Sequence, residues 1–380
     1  MTGANMRIRL PSCQARRVQG IAARRTALLR WFRDHARSLP WRAPIGQRPD
    51  PWRVLVSEIL LQQTTVATVR RRFDDFLARF PNPATLARAA REEVLHAWQG
   101  LGYYRRAHLL HACARELASR YGGRIPEAPE ELRRLPGIGP YTAAAVAAIA
   151  FDRAVVPLDA NVERVLARLF AIDTPLPRGR RALRAIAAAL AAGPEPGLFA
   201  QALMELGALI CRPRRPACPR CPLSERCAAH AAGRQQELPR RMPPRPRARM
   251  LRVCYVACRE DGALLLRRRP EGGLLGGMFE PFSVELCGDG EAGTATAPLA
   301  ADWRPLAGRV RHRFTHIELE CLVYYARIGE QDAPAPRDPE LAWYAPAELA
   351  RLPLSSLARK LLRHAGIEPP SSSRRQASSR

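Results

Sequence analysis

The chain has 380 residues, 47% of them apolar, which predicts two domains with buried cores. No apolar stretch reaches the roughly eighteen residues that a membrane-spanning helix needs, so we expect no membrane partner. A formal charge of +26 favours a polyanionic partner such as DNA. The chain has a single lysine, Lys360, so an arginine-rich composition that follows genome base bias is the alternative explanation.

In chain order, the sequence divides into a disordered basic arm (1–20), a helical domain (21–232), a Pro- and Arg-rich linker (233–250), a mixed α/β domain (251–368) and a disordered tail (369–380). Apolar residues at helical spacing predict helices at 67–80, 83–98, 106–121, 161–171, 178–192 and 198–210. Alternating apolar residues predict strands at 251–258, 263–267 and 314–328, and helices follow at 346–351 and 357–365.

The N-terminal segment indicates the compartment. Arginines interrupt its apolar residues, so it does not read as a secretion signal. We therefore expect the protein inside the cell, in the cytoplasm and associated with the nucleoid if its source is a bacterium. Cysteines stay reduced there, so the ten cysteines indicate metal ligands before disulfides.

One carboxylate, Glu58, stands in the strongly apolar run 54–61. Burial would favour its neutral form, and a carboxylic acid that is neutral near pH 7 can protonate a leaving group. The alternative is a glutamate on the exposed side of an amphipathic helix. Its neighbours Leu55 and Ile59 argue against that alternative.

A glycine hairpin at 135–139 precedes a predicted helix that starts near Tyr141. Gly137 and Gly139 allow a tight turn, and the N–H groups of the helix N-terminus can bind a phosphate without reading sequence. The alternative is an ordinary turn between helices. Asp159 follows about twenty residues later, where a helix N-cap is an equally physical and compatible interpretation.

Four cysteines form a C-x6-C-x2-C-x5-C pattern directly after a predicted helix. They are Cys211, Cys218, Cys221 and Cys227. Thiolates at this spacing select zinc or an iron–sulfur cluster, and the spacing alone does not separate the two. Arginines between the cysteines suit contact with phosphate.

These motifs resemble, in order, those of the adenine DNA glycosylase family, which belongs to the endonuclease III-like helix–hairpin–helix superfamily. The segments that carry the resemblance are 39–42, 57–64, 100–106, 135–143, 156–165 and the cysteine loop 211–227. The resemblance implies an all-α glycosylase domain with a [4Fe–4S] cluster on the four cysteines, followed by an α+β Nudix-like domain.

The resemblance also implies roles for single residues. Glu58 is the general acid, and Asp159 stabilises the positive charge on the sugar as the bond to the flipped adenine breaks. Tyr141 and Asn161 complete the predicted catalytic set. The predicted DNA and adenine contacts in the first domain are Trp41, Arg42, Gln63, Leu101, Tyr103, Gly137, Gly139 and Gln201.

The second domain resembles a Nudix domain around residues 273–280. It lacks the glutamate-rich helix of a Nudix hydrolase, since its glutamates at 280, 285 and 291 are dispersed, so we expect recognition of the lesion without hydrolysis of nucleotides. Phe314, Thr315 and His316 resemble the family's Phe-Ser-His loop, with threonine keeping the hydroxyl of serine.

The expected function is therefore a monofunctional, monomeric glycosylase that removes adenine opposite 8-oxoguanine, or guanine, in double-stranded DNA. One alternative is a pyrimidine-lesion glycosylase and lyase of the endonuclease III type. Tyr141 disfavours it, because it occupies the position of the lyase lysine and a phenol forms no Schiff base. A non-catalytic DNA-binding or redox-sensing protein is the third possibility, but it would not require both Glu58 and Asp159.

Overall fold

The computed structural model describes residues 20–243, 247–270, 273–286, 296–314, 316–329, 338–349 and 351–369. The predicted arm and tail lie outside these residues, apart from residues 20 and 369. Unit 1 is the described part of Met1–Arg88 and Ala112–Pro243, and unit 2 is the described part of Ala89–His111 and Pro244–Arg380. None of the described helices is both long and apolar enough to cross a membrane.

Helices dominate unit 1. In chain order, the helices before the first strand are α1 (Ile21–His35), α2 (Pro51–Leu60), α3 (Val66–Arg70), α4 (Phe73–Arg79), α5 (Pro83–Arg88), α6 (Arg91–Ala97), α7 (Arg105–Arg120), α8 (Pro129–Leu132), α9 (Pro140–Phe151), α10 (Ala160–Leu169), α11 (Arg180–Ala191), α12 (Pro196–Leu209) and α13 (Ala228–Ala231). Of these, α6 and the first turns of α7 belong to unit 2. The single helices predicted at 67–80 and 83–98 are each divided into two.

The core of unit 1 forms where α1, α10, α11 and α12 bury their apolar faces together. Two glycines let α12 approach its neighbours closely. A Cβ on Gly207 would lie 2.6 Å from the Asn161 Cβ of α10, and a Cβ on Gly197 would lie 2.3 Å from the Ala148 carbonyl oxygen of α9. This packing brings α12 and the N-terminal ends of α9 and α10 around one cavity.

Unit 2 contains a mixed sheet. Its strands are β1 (Ala248–Arg259), β2 (Leu264–Arg268), β3 (Phe279–Glu280), β4 (Phe282–Glu285), β5 (Arg304–Pro305), β6 (Val310–Arg313), β7 (Ile317–Ile328) and β8 (Leu341–Tyr344), and its last helices are α14 (Pro346–Leu349) and α15 (Ser356–His364). The strand order is β3-β2-β1-β7-β5, with β4 pairing β1, β6 pairing β7 and β8 pairing β2. The central pair, β1 and β7, is parallel, and the other pairs are antiparallel.

Side chains of β1 alternate between two cores on opposite faces of the sheet, as the period of a strand requires. Cys254 and Val256 join one core, where the buried face of α15 packs, and Val253 and Tyr255 join the other. The strand begins at Ala248, which pairs with Ile317, so regular structure starts before the predicted domain boundary at 251.

The described residues at the other end of the predicted linker also have defined partners. Arg241 forms a bridge with Leu176 in unit 1, and the flanking bonds run from Leu176 N to the Arg240 carbonyl (2.8 Å) and from Met242 N to the Leu176 carbonyl (3.1 Å). The backbone on both sides of residues 244–246 is therefore hydrogen-bonded to other segments, although its Pro- and Arg-rich composition predicts a linker.

Residues 89–111 were assigned to the helical domain on sequence, but they group with the sheet in unit 2. Three contacts join the segment to the rest of that unit: Gln99 Nε2 to the Leu352 carbonyl (3.0 Å), His108 Nε2 to the Gly276 carbonyl (3.1 Å) and Arg268 Nη2 to Glu92 Oε1 (2.8 Å). The loop that carries Tyr103 is thus part of the same compact unit as the Nudix-like sheet.

Candidate active site and cysteine loop

Unit 1 contains a cavity of about 610 Å³ at the helix ends described above. The sequence-predicted residues that line it are Trp41, Arg42, Glu58, Gln63, Tyr141, Asp159, Asn161 and Gln201. Residues that are far apart in sequence therefore meet at one site. Its size and its mixture of polar and apolar walls are those of a small-molecule or base-binding pocket.

Glu58 lies in the buried part of α2. Asp50 starts this helix by accepting a hydrogen bond from Arg53 N (3.0 Å). The pKa of Glu58 is raised to about 7, mainly by burial and to a smaller extent by the charge of Asp159, while a hydrogen bond from Tyr141 opposes the rise. A large fraction of the molecules therefore has a neutral Glu58 carboxyl group near pH 7, as a proton donor requires.

The hairpin leads directly into α9 and places Tyr141 against the acid. The Tyr141 hydroxyl donates to Glu58 Oε2 at 2.7 Å, and burial keeps the pKa of Tyr141 well above its ordinary value, so the phenol stays a neutral donor. Gly137 has a left-handed backbone with φ 77°, whereas Gly139 is an extended N-cap with φ −83°. Of the two glycines, Gly137 alone needs glycine for its φ.

Asp159 caps α10 and lines the cavity at the same time. Its carboxylate accepts hydrogen bonds from Val162 N (2.7 Å) and Asn161 Nδ2 (2.8 Å). Arg164 Nη2 in turn donates to Asn161 Oδ1 (2.8 Å) and holds the amide. Burial raises the pKa of Asp159 and these hydrogen bonds oppose the rise. The capping and site-lining interpretations of this residue are therefore compatible.

The other predicted contacts surround the cavity. Trp41 packs edge-on against Phe73, with ring centroids 5.4 Å apart. Gln201 Nε2 donates to the Gly197 carbonyl at 3.4 Å. Gln63 follows α2 in a left-handed backbone with φ 56°, and its side chain is exposed. This predicted DNA contact therefore lies on a tight turn beside the cavity that it lines.

Glu205 of α12 lines the same cavity, and sequence analysis missed it. Its carboxylate accepts bonds from Arg37 (2.8 and 2.9 Å) and from Arg42 (3.2 Å). Burial alone would raise the pKa of Glu205, but the two guanidinium groups lower it to about 2. The available signal was the one that identified Glu58, since Glu205 is the only acidic residue in α12.

The four predicted metal ligands come together after α12. Cys211, Cys218, Cys221 and Cys227 line one small cavity, and no carboxylate is among its lining residues. This donor set suits a soft metal group. Among the described residues, however, no three His, Cys, Asp or Glu side chains are arranged to hold one metal ion. The sulfurs share a cavity without closing around a single point.

Arg168 fastens the cysteine loop to α10. Its guanidinium donates to Cys211 Sγ (3.4 Å) and to the carbonyls of Arg212 (2.7 Å), Pro213 (3.0 Å) and Leu238 (2.8 Å). The loop's exposed arginines are Arg212, Arg214, Arg215, Arg220 and Arg226. One buried arginine therefore holds the loop backbone while the others leave positive charge at the surface.

Loop 100–103 of unit 2 contains two predicted DNA contacts that differ in exposure. Tyr103 is 48% exposed, but Leu101 is only 4% exposed. Leu101 is buried within the fold, and its contact with DNA stays a prediction. Of this pair, Tyr103 is the residue presented to solvent.

The predicted lesion-reading residues follow β6. Thr315 lies outside the described residues. Phe314 packs against the core that contains α15, with its ring 4.6 Å from that of His312. His316 is exposed, and its carbonyl accepts a hydrogen bond from Ala248 N (3.1 Å). The described part of the loop thus offers one anchored aromatic ring and one free-standing imidazole.

Glu280, in the Nudix-like motif, is a buried ion-pair partner. It accepts hydrogen bonds from Arg269 Nη1 (2.6 Å) and Arg267 Nη2 (3.2 Å) and is 3% exposed. Glu285 is exposed on β4, and residue 291 lies outside the described residues. In this arrangement the Glu280 carboxylate neutralises Arg267 of β2 and Arg269, which directly follows that strand.

Comparison with known proteins defines the class. Residues 56–187 match the family described as HhH-GPD superfamily base excision DNA repair protein, and residues 253–364 match the NUDIX domain family. The chain also resembles the structure of a thermostable thymine-DNA glycosylase, with a TM-score of 0.51 and 29% identity over 58% of this chain and 100% of that one. The fold is that of a base-excision DNA glycosylase of the helix–hairpin–helix superfamily, and the predicted fold class is confirmed.

Curated relatives narrow the class. The adenine DNA glycosylase of Rattus norvegicus is 33% identical over 404 aligned positions, covering 91% of this chain and 78% of the relative. The adenine DNA glycosylase of Mycolicibacterium smegmatis is 44% identical over 207 positions, covering 54% of this chain and 69% of the relative. The chain belongs to the adenine DNA glycosylase family. Its activity is the removal of adenine from DNA in base excision repair.

Proposed function

We propose that the enzyme acts as a monomer on adenine paired with 8-oxoguanine, and also with guanine, in duplex DNA. The main support for this reaction is a single cavity lined by Glu58, Tyr141 and Asp159. In it the pKa of Glu58 is raised to about 7, and the Tyr141 hydroxyl donates a hydrogen bond to Glu58. If the source is a bacterium, we expect the protein to work in the cytoplasm at the nucleoid.

In the proposed reaction, the Glu58 carboxyl gives its proton to N7 of the flipped adenine, and the bond between N9 and C1′ breaks. Positive charge develops on the deoxyribose, where the Asp159 carboxylate stabilises it. Water then adds to C1′ and its proton returns to Glu58. Asn161 and Val162 N keep Asp159 oriented through the bonds described above.

The enzyme is proposed to stop at the abasic site. Tyr141 stands where a Schiff-base lyase has its lysine, and its hydroxyl is engaged by Glu58. The alternative is a pyrimidine-lesion glycosylase and lyase. A single-turnover assay separates the two by using duplexes with adenine opposite 8-oxoguanine, adenine opposite guanine, or thymine glycol, with and without alkali.

Strand cleavage of the adenine duplexes only after alkali is the expected result. Nicking of the thymine-glycol duplex without alkali, or a borohydride-trapped adduct that persists in a Lys360→Ala variant, would contradict the proposal. Equal rates for the two adenine mispairs would remove the preference for 8-oxoguanine but leave adenine excision intact.

We also propose that Cys211, Cys218, Cys221 and Cys227 hold a [4Fe–4S] cluster. Burial raises the pKa of the Cys221 thiol to about 12, and a bound, positively charged metal group would favour its thiolate form. The four cysteines line one cavity that has no carboxylate in its lining, a donor set that suits a soft metal group such as an iron–sulfur cluster. The bound group would supply charge and rigidity to the arginine-rich loop.

Metal analysis tests this assignment. Anaerobically purified protein should contain iron and acid-labile sulfide and absorb broadly in the visible range, and Cys218→Ser should lower the iron content. Cys258→Ser is the matched control, because Cys258 is half-buried in β1 and far from the loop in sequence. Stoichiometric zinc in place of iron would overturn the proposal.

Lesion preference is proposed to depend on Phe314, Thr315 and His316. In support, His316 is exposed beside the anchored Phe314 ring. His316→Ala should reduce the ratio of excision rates for 8-oxoguanine:adenine over guanine:adenine by about fivefold or more, the size of one lost base contact. A point variant is sharper than deletion of 251–380, which also removes the partners of residues 89–111.

A further inference from the structure

Loop 100–103 in unit 2 holds Tyr103 in an uncommon backbone conformation. The φ angles of Gly100, Gly102 and Tyr103 are 83°, 68° and 47°, all in the left-handed region. Glycine adopts this region freely, but a tyrosine stays there only where its surroundings hold it. Because the Tyr103 side chain is 48% exposed, the residues that hold it must act on the loop backbone or on one face of the ring.

Arg106 makes both kinds of contact. Its Nη2 donates to the carbonyls of Leu101 (2.9 Å) and Gly102 (3.2 Å), and its backbone N donates to the Tyr103 carbonyl (2.9 Å). Its guanidinium carbon lies 5.6 Å from the centroid of the Tyr103 ring, within the range of a cation–π interaction. One side chain therefore holds the turn and supports the tyrosine ring that the turn presents.

Trp98 fixes Arg106 and the same turn from within the fold. The guanidinium carbon of Arg106 lies 5.3 Å from the Trp98 ring, and Trp98 Nε1 donates to the Gly102 carbonyl (3.0 Å). Trp98 is fully buried and Arg106 is 8% exposed. Burial lowers the pKa of Arg106 to about 10, so the group still carries its charge at pH 7.

We propose that Arg106 is a positioning residue that holds Tyr103 ready for insertion into the duplex. This inference rests on the proposed function and takes the exposed Tyr103, one of the predicted DNA contacts, as the residue that enters the duplex. Since Arg106 is buried, it acts through the tyrosine and the turn and makes no phosphate contact of its own. Its neighbour Arg105 is exposed, so the chain offers a matched control for the loss of one positive charge.

A double-mutant cycle tests the proposal. Affinity is measured for a duplex that carries a non-cleavable 2′-fluoro-adenosine opposite 8-oxoguanine, using the wild type, Tyr103→Ala, Arg106→Gln and the double variant at several salt concentrations. Each single variant should bind roughly tenfold more weakly, the scale of one lost base-stacking contact. The double variant should be within about twofold of Tyr103→Ala, because both changes remove the same interaction.

Salt dependence separates positioning from direct phosphate contact. Arg106→Gln should keep the slope of log affinity against log salt, whereas any loss in Arg105→Gln should come with a shallower slope, by about one unit per phosphate contact. If Arg106→Gln melts below the assay temperature, Arg106→Lys takes its place in the cycle, because lysine keeps the charge but cannot hold both carbonyls.

Additive losses in the cycle, or a shallower salt slope for the Arg106 variant, would overturn the inference while leaving the role of Tyr103 intact. Undiminished binding by Tyr103→Ala would instead contradict the proposed insertion of Tyr103, and the role of Arg106 with it. The two failures are therefore distinguishable from the single variants alone.

Discussion

Two glutamates line the same cavity and are buried to nearly the same degree, yet they differ in protonation. Glu58 is 5% exposed and Glu205 is 1% exposed. The pKa of Glu58 is raised to about 7, and that of Glu205 is lowered to about 2. Burial favours the neutral form of both carboxyl groups. The difference comes from their partners, which are a phenol for Glu58 and two guanidinium groups for Glu205.

This contrast shows how one cavity can contain both a proton donor, Glu58, and a carboxylate that stays ionised, Glu205. A general acid works best when its pKa is close to the working pH, so Glu58 needs a neutral partner. Arg42, at the predicted adenine pocket, is oriented by a carboxylate that never protonates in the working range. Changing either glutamate, or the partner of Glu58, tests this division of roles.

The largest effect is expected for Glu58→Gln. Removing the acid should lower the single-turnover excision rate by at least about 10²–10⁴-fold, because glutamine has no proton to give. The folded pKa of Glu58 is raised, so wild-type stability falls as pH rises from about 4.5 to about 7. The variant should therefore melt no lower than the wild type at pH 8. A rate near that of the wild type would contradict the role of Glu58.

Glu205→Gln should have the next largest effect. It leaves Arg37 and Arg42 beside a neutral amide, so the pocket loses the anion that orients them. We expect a lower melting temperature and a loss of roughly tenfold to a hundredfold in the excision rate, the cost of misplacing a binding group. The pH at which the rate declines should not move, because Glu58 is unchanged. A shifted decline would show that the two carboxylates are not independent.

The same comparison shows what the sequence can and cannot predict. A lone carboxylate in an apolar helix pointed correctly to a buried Glu58, and the same pattern was available for Glu205. The raised pKa of Glu58 follows from the burial that its apolar run predicts. The lowered pKa of Glu205 could not be predicted, because it depends on Arg37 and Arg42, which lie far from Glu205 in sequence. The local sequence pattern therefore predicts which carboxylates are buried, and tertiary contacts determine the pKa of each.

Element boundaries follow the same rule. The segment predicted as one helix at 67–80 divides after α3. The sequence does not reveal the break, because Val69 and Phe73 are four residues apart and keep the apolar phase across the turn. Ala248 begins a strand within Pro- and Arg-rich sequence because Ile317, a remote partner, pairs with it. Periodicity identified the fold class, and partners distant in sequence set where the elements begin and end.

The pH profile is the third test. Because the neutral form of Glu58 donates the proton, the excision rate should be constant below about pH 7 and fall about tenfold for each further pH unit. Single-turnover rates from pH 5.5 to 9 measure this decline, with binding measured in parallel to exclude a loss of affinity. A rate that rises through pH 7 would mean that ionised Glu58 acts as a base.

Tyr141→Phe should have the smallest effect on rate and the most specific effect on pH dependence. The Tyr141 hydroxyl donates to Glu58 Oε2 and lowers the pKa of that carboxyl group. Phenylalanine keeps the ring but removes the donor, so the pKa of Glu58 should rise and the decline in rate should move to higher pH. At pH 6 the rate should change by less than about tenfold, since Glu58 is already neutral there. Tyr121→Phe is the matched control, because Tyr121 is not among the residues lining the cavity, and it should leave the profile unchanged. A decline that stays in place, or moves to lower pH, would show that the phenol does not set the protonation of the acid, and the contrast between Glu58 and Glu205 would then rest on the arginines alone.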